Sequence, residues 1–202
     1  SGFGCHSTIS QNIIQNNVAG DVVISNEYGY GAGVSVYMIV AAPDTVMTCN
    51  VISGNVARNY GGGVYVGVYS VSKAHSTVTI TNNEIRGNSA SGAGGISTFY
   101  SIGKIVNNTI VGNMAFQGGG LYIDRGAAGD TVVLSNNLIT GNGATDAVLG
   151  GGGLYVSVLA PLTPLTVRNN DFFGNTPAGK QVGGSRTDAG TIGVAGNIGT
   201  DP

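Results

Sequence analysis

The sequence predicts an all-β fold, a single-stranded right-handed parallel β-helix of about seven coils with three short strands in each coil. Three observations lead to this prediction. A pattern with two asparagines returns at intervals of 25 to 38 residues. Segments in which apolar and polar residues alternate, as in short strands, lie before and after this pattern. Glycine clusters separate the segments, and none of them shows a sustained helical period.

The repeated pattern consists of an asparagine, an apolar residue two positions later and a second asparagine five positions later. Its first asparagines are Asn12, Asn50, Asn83, Asn108, Asn137 and Asn170, and a degenerate seventh copy holds Asn197. The residue three positions upstream is apolar in every copy, from Ile9 and Met47 to Val194. The mean period of about 31 residues, with variable spacing, indicates loops inserted around a constant frame.

Successive coils of a β-helix lie about 4.8 Å apart, so equivalent positions stack on one another. Stacked Ile and Val residues then fill the interior. Stacked asparagines can hydrogen-bond along their row and to the backbone of the turn. Asparagine also tolerates the left-handed conformation that a sharp turn between strands requires. We expect the glycines to provide positive φ angles at the next corner.

Composition favours one domain that covers residues 1–202 and excludes several functions. Only 9% of the residues are charged and the net charge is −2, which indicates neither a nucleic-acid partner nor binding to an anionic membrane. No apolar run reaches the roughly 18 residues of a membrane span. The first residues, SGFGCHSTIS, lack the basic start and apolar core of a signal peptide.

Isolated cysteines and histidines do not form a recognisable site. Cys5 and Cys49 are compatible with one disulfide or with two small core residues. His6 and His75 have no partners at metal-ligand spacing, so no metal site is predicted from them. Asn107 begins a formal glycosylation sequon, but it lies in the predicted turn, where modification is not expected.

Glycine clusters followed by an aliphatic residue alternate with a second element, IxxN or FxxN. The first element occurs as GGGV (Gly61 to Val64), GAGGI (Gly92 to Ile96) and GGGL (from Gly118 and from Gly151). This pairing resembles the repeats of bacterial secreted and surface β-helix proteins, including the passengers of chlamydial polymorphic membrane proteins. Those passengers usually have alanine where this chain has glycine. In related polysaccharide-acting enzymes, the resemblance implies a groove along the outer face of the first sheet, which follows the glycine cluster.

Aromatic residues recur at outward positions of that sheet. One predicted column contains Ser35, Tyr65, Ser97, Tyr122 and Tyr155, and its neighbour contains Tyr37, Gly67, Phe99, Asp124 and Ser157, with Tyr69 beside them. Exposed rings in a row can stack on sugar rings or on a partner protein. Aromatic residues are also common on strand surfaces for structural reasons alone. The ligand-binding candidates are Tyr65, Tyr122, Tyr155, Tyr37, Phe99 and Asp124. We expect Tyr65, Tyr122 and Tyr155 to be outward and partly exposed, while Val64, Leu121 and Leu154 point inward.

No catalytic residues and no required cofactor are predicted. The ten acidic residues form no DD or NTD motif of the polygalacturonase type, and the GHG and RIK elements of those enzymes are absent. The nearest approximation to a Ca²⁺-dependent lyase site is Asp124, Arg125 and Asp130, with Asp146 one coil further on. Alternatively, these residues are ordinary charged side chains in loops that face the solvent.

Two functions follow as hypotheses. The first is a non-enzymatic extracellular or cell-surface module for adhesion, carbohydrate contact or scaffolding, with a polysaccharide or surface protein as partner. The second is a polysaccharide lyase or glycoside hydrolase with a groove near Asp124. We also expect flanking sequence or end-to-end self-association, because the end coils of a β-helix expose unpaired strand edges.

Overall fold

A computed structural model describes residues 7–20, 29–38, 44–68, 77–99, 102–124, 132–157, 165–184 and 195–199. The described residues contain strands and turns. The first eleven strands are β1 (Ser7–Ser10), β2 (Ile13–Gln15), β3 (Val18–Ala19), β4 (Val34–Met38), β5 (Thr45–Thr48), β6 (Val51–Ser53), β7 (Val56–Ala57), β8 (Val64–Val68), β9 (Thr77–Thr81), β10 (Glu84–Arg86) and β11 (Ile96–Phe99). The remaining strands are β12 (Ile102–Val106), β13 (Thr109–Val111), β14 (Met114–Ala115), β15 (Leu121–Asp124), β16 (Val132–Ser135), β17 (Leu138–Thr140), β18 (Gly143–Ala144), β19 (Leu154–Val156), β20 (Leu165–Arg168), β21 (Asp171–Phe173) and β22 (Val182–Gly184).

These strands form three parallel sheets of six strands each, as a β-helix requires. Sheet 1, which follows the glycine clusters, has the order β4-β8-β11-β15-β19-β22. Sheet 2 has the order β1-β5-β9-β12-β16-β20, and sheet 3 has the order β2-β6-β10-β13-β17-β21. Two small sheets, β3-β7 and β14-β18, lie at the corner after sheet 3. The predicted architecture of stacked coils with three main strands each is therefore confirmed.

The core is a set of apolar columns that run through the stacked coils. Sheet 3 contributes Ile52, Ile85, Ile110, Ile139 and Phe172, all with 0% exposure. Sheet 2 contributes Met47, Ile80, Ile105, Leu134 and Val167, which are also buried. The predicted inward positions are confirmed, and burial of each side chain contributes roughly 1.5–3 kcal/mol to folding.

Two asparagine ladders flank sheet 3. In the first ladder, the backbone N–H and the Nδ2 of each asparagine donate to Oδ1 of the next, from Asn12 through Asn50 to Asn197. The second asparagines of the pattern form an equivalent ladder, from Asn17 through Asn55 to Asn175. The predicted stacking of the first row is confirmed, and the second row extends it.

The left-handed residue of each turn is the one before the ladder asparagine, not the ladder asparagine itself. Positive φ angles occur at Gln11, Cys49, Asn82, Asn107, Asn136 and Asn169 ahead of the first ladder. Asn16 and a series of glycines that begins at Gly54 have the same role ahead of the second. A ladder asparagine must direct its amide into the row, while its exposed neighbour provides the sharp change of direction.

The glycine clusters serve two physical purposes. Their first residue has a positive φ angle, as at Gly118 (φ 65°). In the third cluster, GAGGI, the equivalent position is Ala93, which has a φ of 55°. The next glycines are needed for a different reason, because a Cβ atom at Gly94 would lie 2.5 Å from the Met114 carbonyl oxygen. The prediction of positive φ therefore explains only the first glycine of a cluster.

Thr98 is a polar residue in the otherwise apolar core, and its replacement tests what a buried unpaired hydroxyl costs in stability. Its side chain is 3% exposed, and its Oγ1 has no hydrogen-bond partner among the described residues. Its register neighbours are Val66 and Ile123. We expect Thr98→Val to stabilise the protein by about 1 kcal/mol, because it removes a buried unpaired hydroxyl without changing shape. A urea midpoint that falls would show that the hydroxyl is satisfied.

Candidate functional site

Three columns of outward residues define the candidate site on sheet 1. The middle column pairs Tyr65 with Ser35 and Ser97, and Tyr122 with Ser97 and Tyr155. The outer column pairs Gly67 with Tyr37 and Phe99, and Phe99 with Asp124. Both columns were predicted from the alternation, and the register confirms them. Tyr69 lies outside the described residues.

A third column at the edge of the glycine turn was not predicted. Tyr30 bridges to Tyr60, Tyr60 to Gly92, and Gly92 to Gln117. The available signal was the position directly before the first residue of each glycine cluster, as in YGAG and YGGG. This position lies before the alternating strand, so a search restricted to strands overlooks it.

The rings of these columns pack into one unit, here called the aromatic cluster: Tyr30, Tyr60, Tyr65, Phe99, Tyr122 and Tyr155. Parallel stacking joins Tyr122 to Tyr155 with ring centroids 5.0 Å apart, and Phe99 to Tyr122 at 5.5 Å. Tyr30 stacks on Tyr65 at 4.7 Å. Tyr60 meets Phe99 edge to face at 4.8 Å and Tyr122 at 5.4 Å. Such pairs contribute roughly 0.5–1.5 kcal/mol each beyond area burial.

Two glycines make room for this packing. A Cβ atom at Gly67 would lie 2.5 Å from the Tyr65 hydroxyl oxygen, and a Cβ atom at Gly92 would collide with the Tyr60 ring. Neither glycine has a positive φ angle. The missing side chain at Gly67 therefore leaves room for the Tyr65 ring to lie along its own strand, and the one at Gly92 lets the Tyr60 ring lie across the next coil.

The expected partial exposure of the three tyrosines is correct for Tyr122 and wrong for Tyr65 and Tyr155. Tyr122 is half-buried, whereas Tyr65 is 6% and Tyr155 is 4% exposed. Val64, Leu121 and Leu154, their neighbours in sequence, point into the core as predicted. Since the rings stack on one another along the solenoid axis, most ring faces are occupied within the protein. Tyr37, which is 52% exposed, keeps its ring accessible.

A groove of about 380 Å³ lies beside the aromatic cluster, where Gly92 leaves a gap in the edge column. It is lined by Asn59, Tyr60, Ser91, Gly92, Phe116, Gln117 and Tyr122. Phe116 is 56% exposed and forms an accessible apolar wall. The remaining polar groups of the lining are amides and a hydroxyl, which can donate and accept hydrogen bonds without carrying charge.

One end of the groove is held in place by Asp146. Gln117 Nε2 donates to Asp146 Oδ2 at 2.7 Å, and the backbone N–H groups of Val148 and Leu149 donate to Asp146 Oδ1. These hydrogen bonds lower the pKa of Asp146, and the bond from Gln117 has the largest effect. Both carboxylate oxygens are thus engaged in orienting a side chain and a turn.

Asp124 is the only predicted acidic site residue that lies on the outer face of a described strand of sheet 1. Burial raises its pKa, and a hydrogen bond with the Ser157 side chain partly opposes this effect. The same Ser157 side chain hydrogen-bonds to Tyr122. Asp124 is therefore a half-buried carboxyl group tied to the aromatic cluster.

Of the predicted lyase-like arrangement, only Asp124 and Asp146 lie among the described residues. Arg125 and Asp130 lie outside the described residues, and so do Cys5, His6 and His75. Among the described residues, no three His, Cys, Asp or Glu side chains form a group that could hold a metal ion. Cys49 is exposed and has no disulfide partner among the described residues. The same residues contain no helix of the length and apolarity that a membrane crossing needs.

We expect the protein to lose stability at alkaline pH because of its buried tyrosines. Burial, with smaller contributions from Tyr30, Tyr37 and Tyr60, raises the pKa of Tyr65 to about 12. Burial also raises the pKa of Tyr122. The unfolded chain loses its tyrosine protons near pH 10, before the folded protein does. The contribution of the protonated tyrosines to the free energy of unfolding is therefore complete below about pH 10, and it decreases as the pH rises toward 12.

Urea midpoints measured across this interval, together with tyrosinate absorbance, would test the pKa shift. We expect the midpoint to fall less steeply with pH in the Tyr65→Phe variant, which has one fewer group to deprotonate on unfolding. Identical slopes for the two proteins would contradict the assignment to Tyr65.

Comparison with known proteins gives one match. The family model described as right handed beta helix region matches residues 2–197. No curated protein matches the chain, and no solved structure matches it. The match covers nearly all residues and agrees with the three parallel sheets and the asparagine ladders, so the chain belongs to the right-handed β-helix family.

Proposed function

We propose that this β-helix is a non-enzymatic module of the cell exterior that binds carbohydrate in the groove beside the aromatic cluster. Adhesion or scaffolding on a surface is the role that such a module would serve. The resemblance of its GGGV and GGGL repeats to bacterial secreted and surface proteins supports the extracellular or cell-surface location. Fold alone does not imply a ligand, so the proposal depends on the groove.

The observation that carries the proposal is the lining of the groove. Phe116, Tyr60 and Tyr122 provide apolar ring surface, and Asn59, Ser91 and Gln117 provide neutral hydrogen-bonding groups. Sugar rings have apolar C–H faces and hydroxyl groups around their edges, so they need both kinds of contact. Gln117 is held by Asp146, which reduces the entropy lost when a ligand orders its amide.

The rings do not form the row of exposed stacking surfaces that the sequence predicts. Most ring faces in the aromatic cluster are covered by other rings, so the cluster forms a rigid wall more than a set of separate stacking platforms. Phe116 and Tyr37 are the aromatic residues with the largest exposed fractions among the described ones. We therefore assign the direct contact with a sugar ring to Phe116 at the groove, with Tyr37 on sheet 1 as a second contact.

A screen against neutral and acidic polysaccharides, with both binding and turnover measured, would test this function. We expect binding without release of products. Phe116→Ala should weaken binding by roughly tenfold, equivalent to about 1.4 kcal/mol. Ile13→Ala removes another exposed apolar side chain, on sheet 3, and is the matched control. Equal loss in both variants, or no binding to any polysaccharide, would contradict the proposal.

The enzymatic alternative is a polysaccharide lyase or glycoside hydrolase with Asp124 in its site. Its support is the raised pKa of Asp124, which suits a carboxylic acid that donates a proton. Against it, the oxygens of Asp146, the other predicted acid among the described residues, are already hydrogen-bonded to Gln117 and a turn. Turnover that disappears in Asp124→Asn would establish this alternative.

A further inference from the structure

The sequon that begins at Asn107 is the only N-x-S/T sequence of the chain, and the first asparagine ladder divides it. Its middle residue, Asn108, belongs to the ladder and is 2% exposed. Asn107 is exposed, and Thr109 is half-buried on the outer face of β13. A transferase reads the first and third residues of an N-x-T sequon. The ladder therefore occupies the one position whose side chain is not read.

The side chain of Asn107 takes no part in holding the turn together. Its backbone N–H donates to the Ser135 carbonyl at 3.2 Å, and the residue has a φ of 56°. The side-chain amide of Asn107 makes no hydrogen bond with a described residue, and neither does the hydroxyl of Thr109. A group attached to Asn107 Nδ2 would therefore break no contact between the described residues.

Neighbouring coils have the same turn without the hydroxyl. Asn82 and Asn136 are exposed, each has a φ of 56°, and each precedes a buried ladder asparagine. The residues in register with Thr109 are Glu84 and Leu138. The turn at Asn107 thus differs from these two turns in chemistry and not in shape.

We propose, against the expectation from the sequence, that Asn107 is a site of N-linked glycosylation with a polyprenyl-pyrophosphate-linked oligosaccharide as the donor. Asn107 Nδ2 forms a bond to C1 of the first sugar and loses one proton to a base of the transferase. The bond from C1 to the pyrophosphate oxygen breaks, and its electron pair leaves with the polyprenyl pyrophosphate. Such transfer acts on secreted proteins, so this site depends on the location outside the cell that the proposed function assigns.

The site and the groove lie on different corners of the coil. Asn107 connects β12 of sheet 2 with β13 of sheet 3. The groove is lined by residues such as Gly92 and Gln117, which lie at the corner that leads into sheet 1. A glycan on Asn107 therefore leaves the groove open.

Transfer to the folded protein would test the site. The purified chain is incubated with a single-subunit oligosaccharyltransferase and polyprenyl-pyrophosphate-linked chitobiose, and its intact mass is measured. We expect one added disaccharide, which peptide mapping places on Asn107. We expect none in Thr109→Val, which keeps the shape of the side chain and removes the hydroxyl. The free peptide of residues 105–111 is the control for accessibility. A modified peptide beside an unmodified protein would overturn the proposal, and so would a peptide that is not accepted.

A gain of a second site is the sharper test. Leu138→Thr completes a sequon at Asn136 in an equivalent turn, and Leu138 is 37% exposed, so the fold tolerates the change. We expect two added disaccharides, on Asn107 and Asn136. Glu84→Thr is a second variant of this kind, at Asn82. If neither variant gains a disaccharide, the exposed turn does not make an acceptor and the proposal is wrong. No polysaccharide takes part in this assay, so a glycosylated protein that fails the polysaccharide screen contradicts only the proposed ligand.

Discussion

Asn108→Ala should destabilise the protein by about 3 kcal/mol or more, one of the largest effects of any single side chain. Oδ1 of Asn108 accepts from the N–H and Nδ2 of Asn83, and its Nδ2 donates to Asn137 and to the carbonyls of Ile80 and Val106. Alanine would leave the buried N–H of Asn83 without an acceptor, and the carbonyls of Ile80 and Val106 would lose the Nδ2 donor. Each buried unsatisfied group costs roughly 1–3 kcal/mol.

Urea unfolding monitored by circular dichroism would measure this change, and a thermal midpoint about 10 °C lower should accompany it. The neighbouring Asn107→Gly variant is the control. Asn107 is exposed and has a φ of 56°, which glycine adopts without strain, so we expect a change within about 0.5 kcal/mol. Similar losses for both variants would show that turn conformation, not the ladder, determines stability.

Gly119→Ala should have an effect of similar size through backbone collision. A Cβ atom at Gly119 would fall on the Gly143 carbonyl group of the next coil, with the Gly143 carbonyl carbon at 2.6 Å and the nitrogen at 2.7 Å. Backbone cannot rotate away as a flexible side chain can. The coils would have to separate and strain the hydrogen bonds from Gly95 N–H to Gly119 O and from Gly120 N–H to Gly152 O. We expect a loss of about 3 kcal/mol, at the upper end of overpacking costs.

Gly103→Ala is the matched control, because both changes have the same effect on the entropy of the unfolded chain. A Cβ atom at Gly103 meets only the Val78 carbonyl oxygen, at 3.3 Å. We expect its denaturation midpoint to shift by less than one third of that of Gly119→Ala. An unchanged midpoint for Gly119→Ala would mean that the coils lie further apart at this corner than the structure places them.

The repeat could be predicted from the sequence because each position of a coil stacks on its own equivalent. An asparagine that recurs with isoleucine two positions later has the same environment in every coil, as Asn50 and Asn108 do. Its ladder and the inward columns therefore follow from periodicity alone. The conformation of the turn did not follow, because the sequence does not reveal whether Asn107 or Asn108 takes the left-handed angle. Only the hydrogen-bonded row decides that Asn108 points inward.

The candidate site depended on contacts between coils that no pattern within one coil contains. The outward positions of Tyr65 and Tyr155 follow from alternation, but their burial follows from ring stacking on Tyr30 and Tyr122. The groove exists because Gly92 stands where the preceding coil has Tyr60 and the next has Gln117.

The sequence by itself determined the coil, its register and its interior, since these repeat along the chain and obey period-two alternation. The tertiary structure decided which rings remain accessible and which polar groups line the groove. These features depend on the one coil that differs from its neighbours. A missing side chain at Gly92 opens a groove only because the adjacent coils carry Tyr60 and Gln117 in the same column.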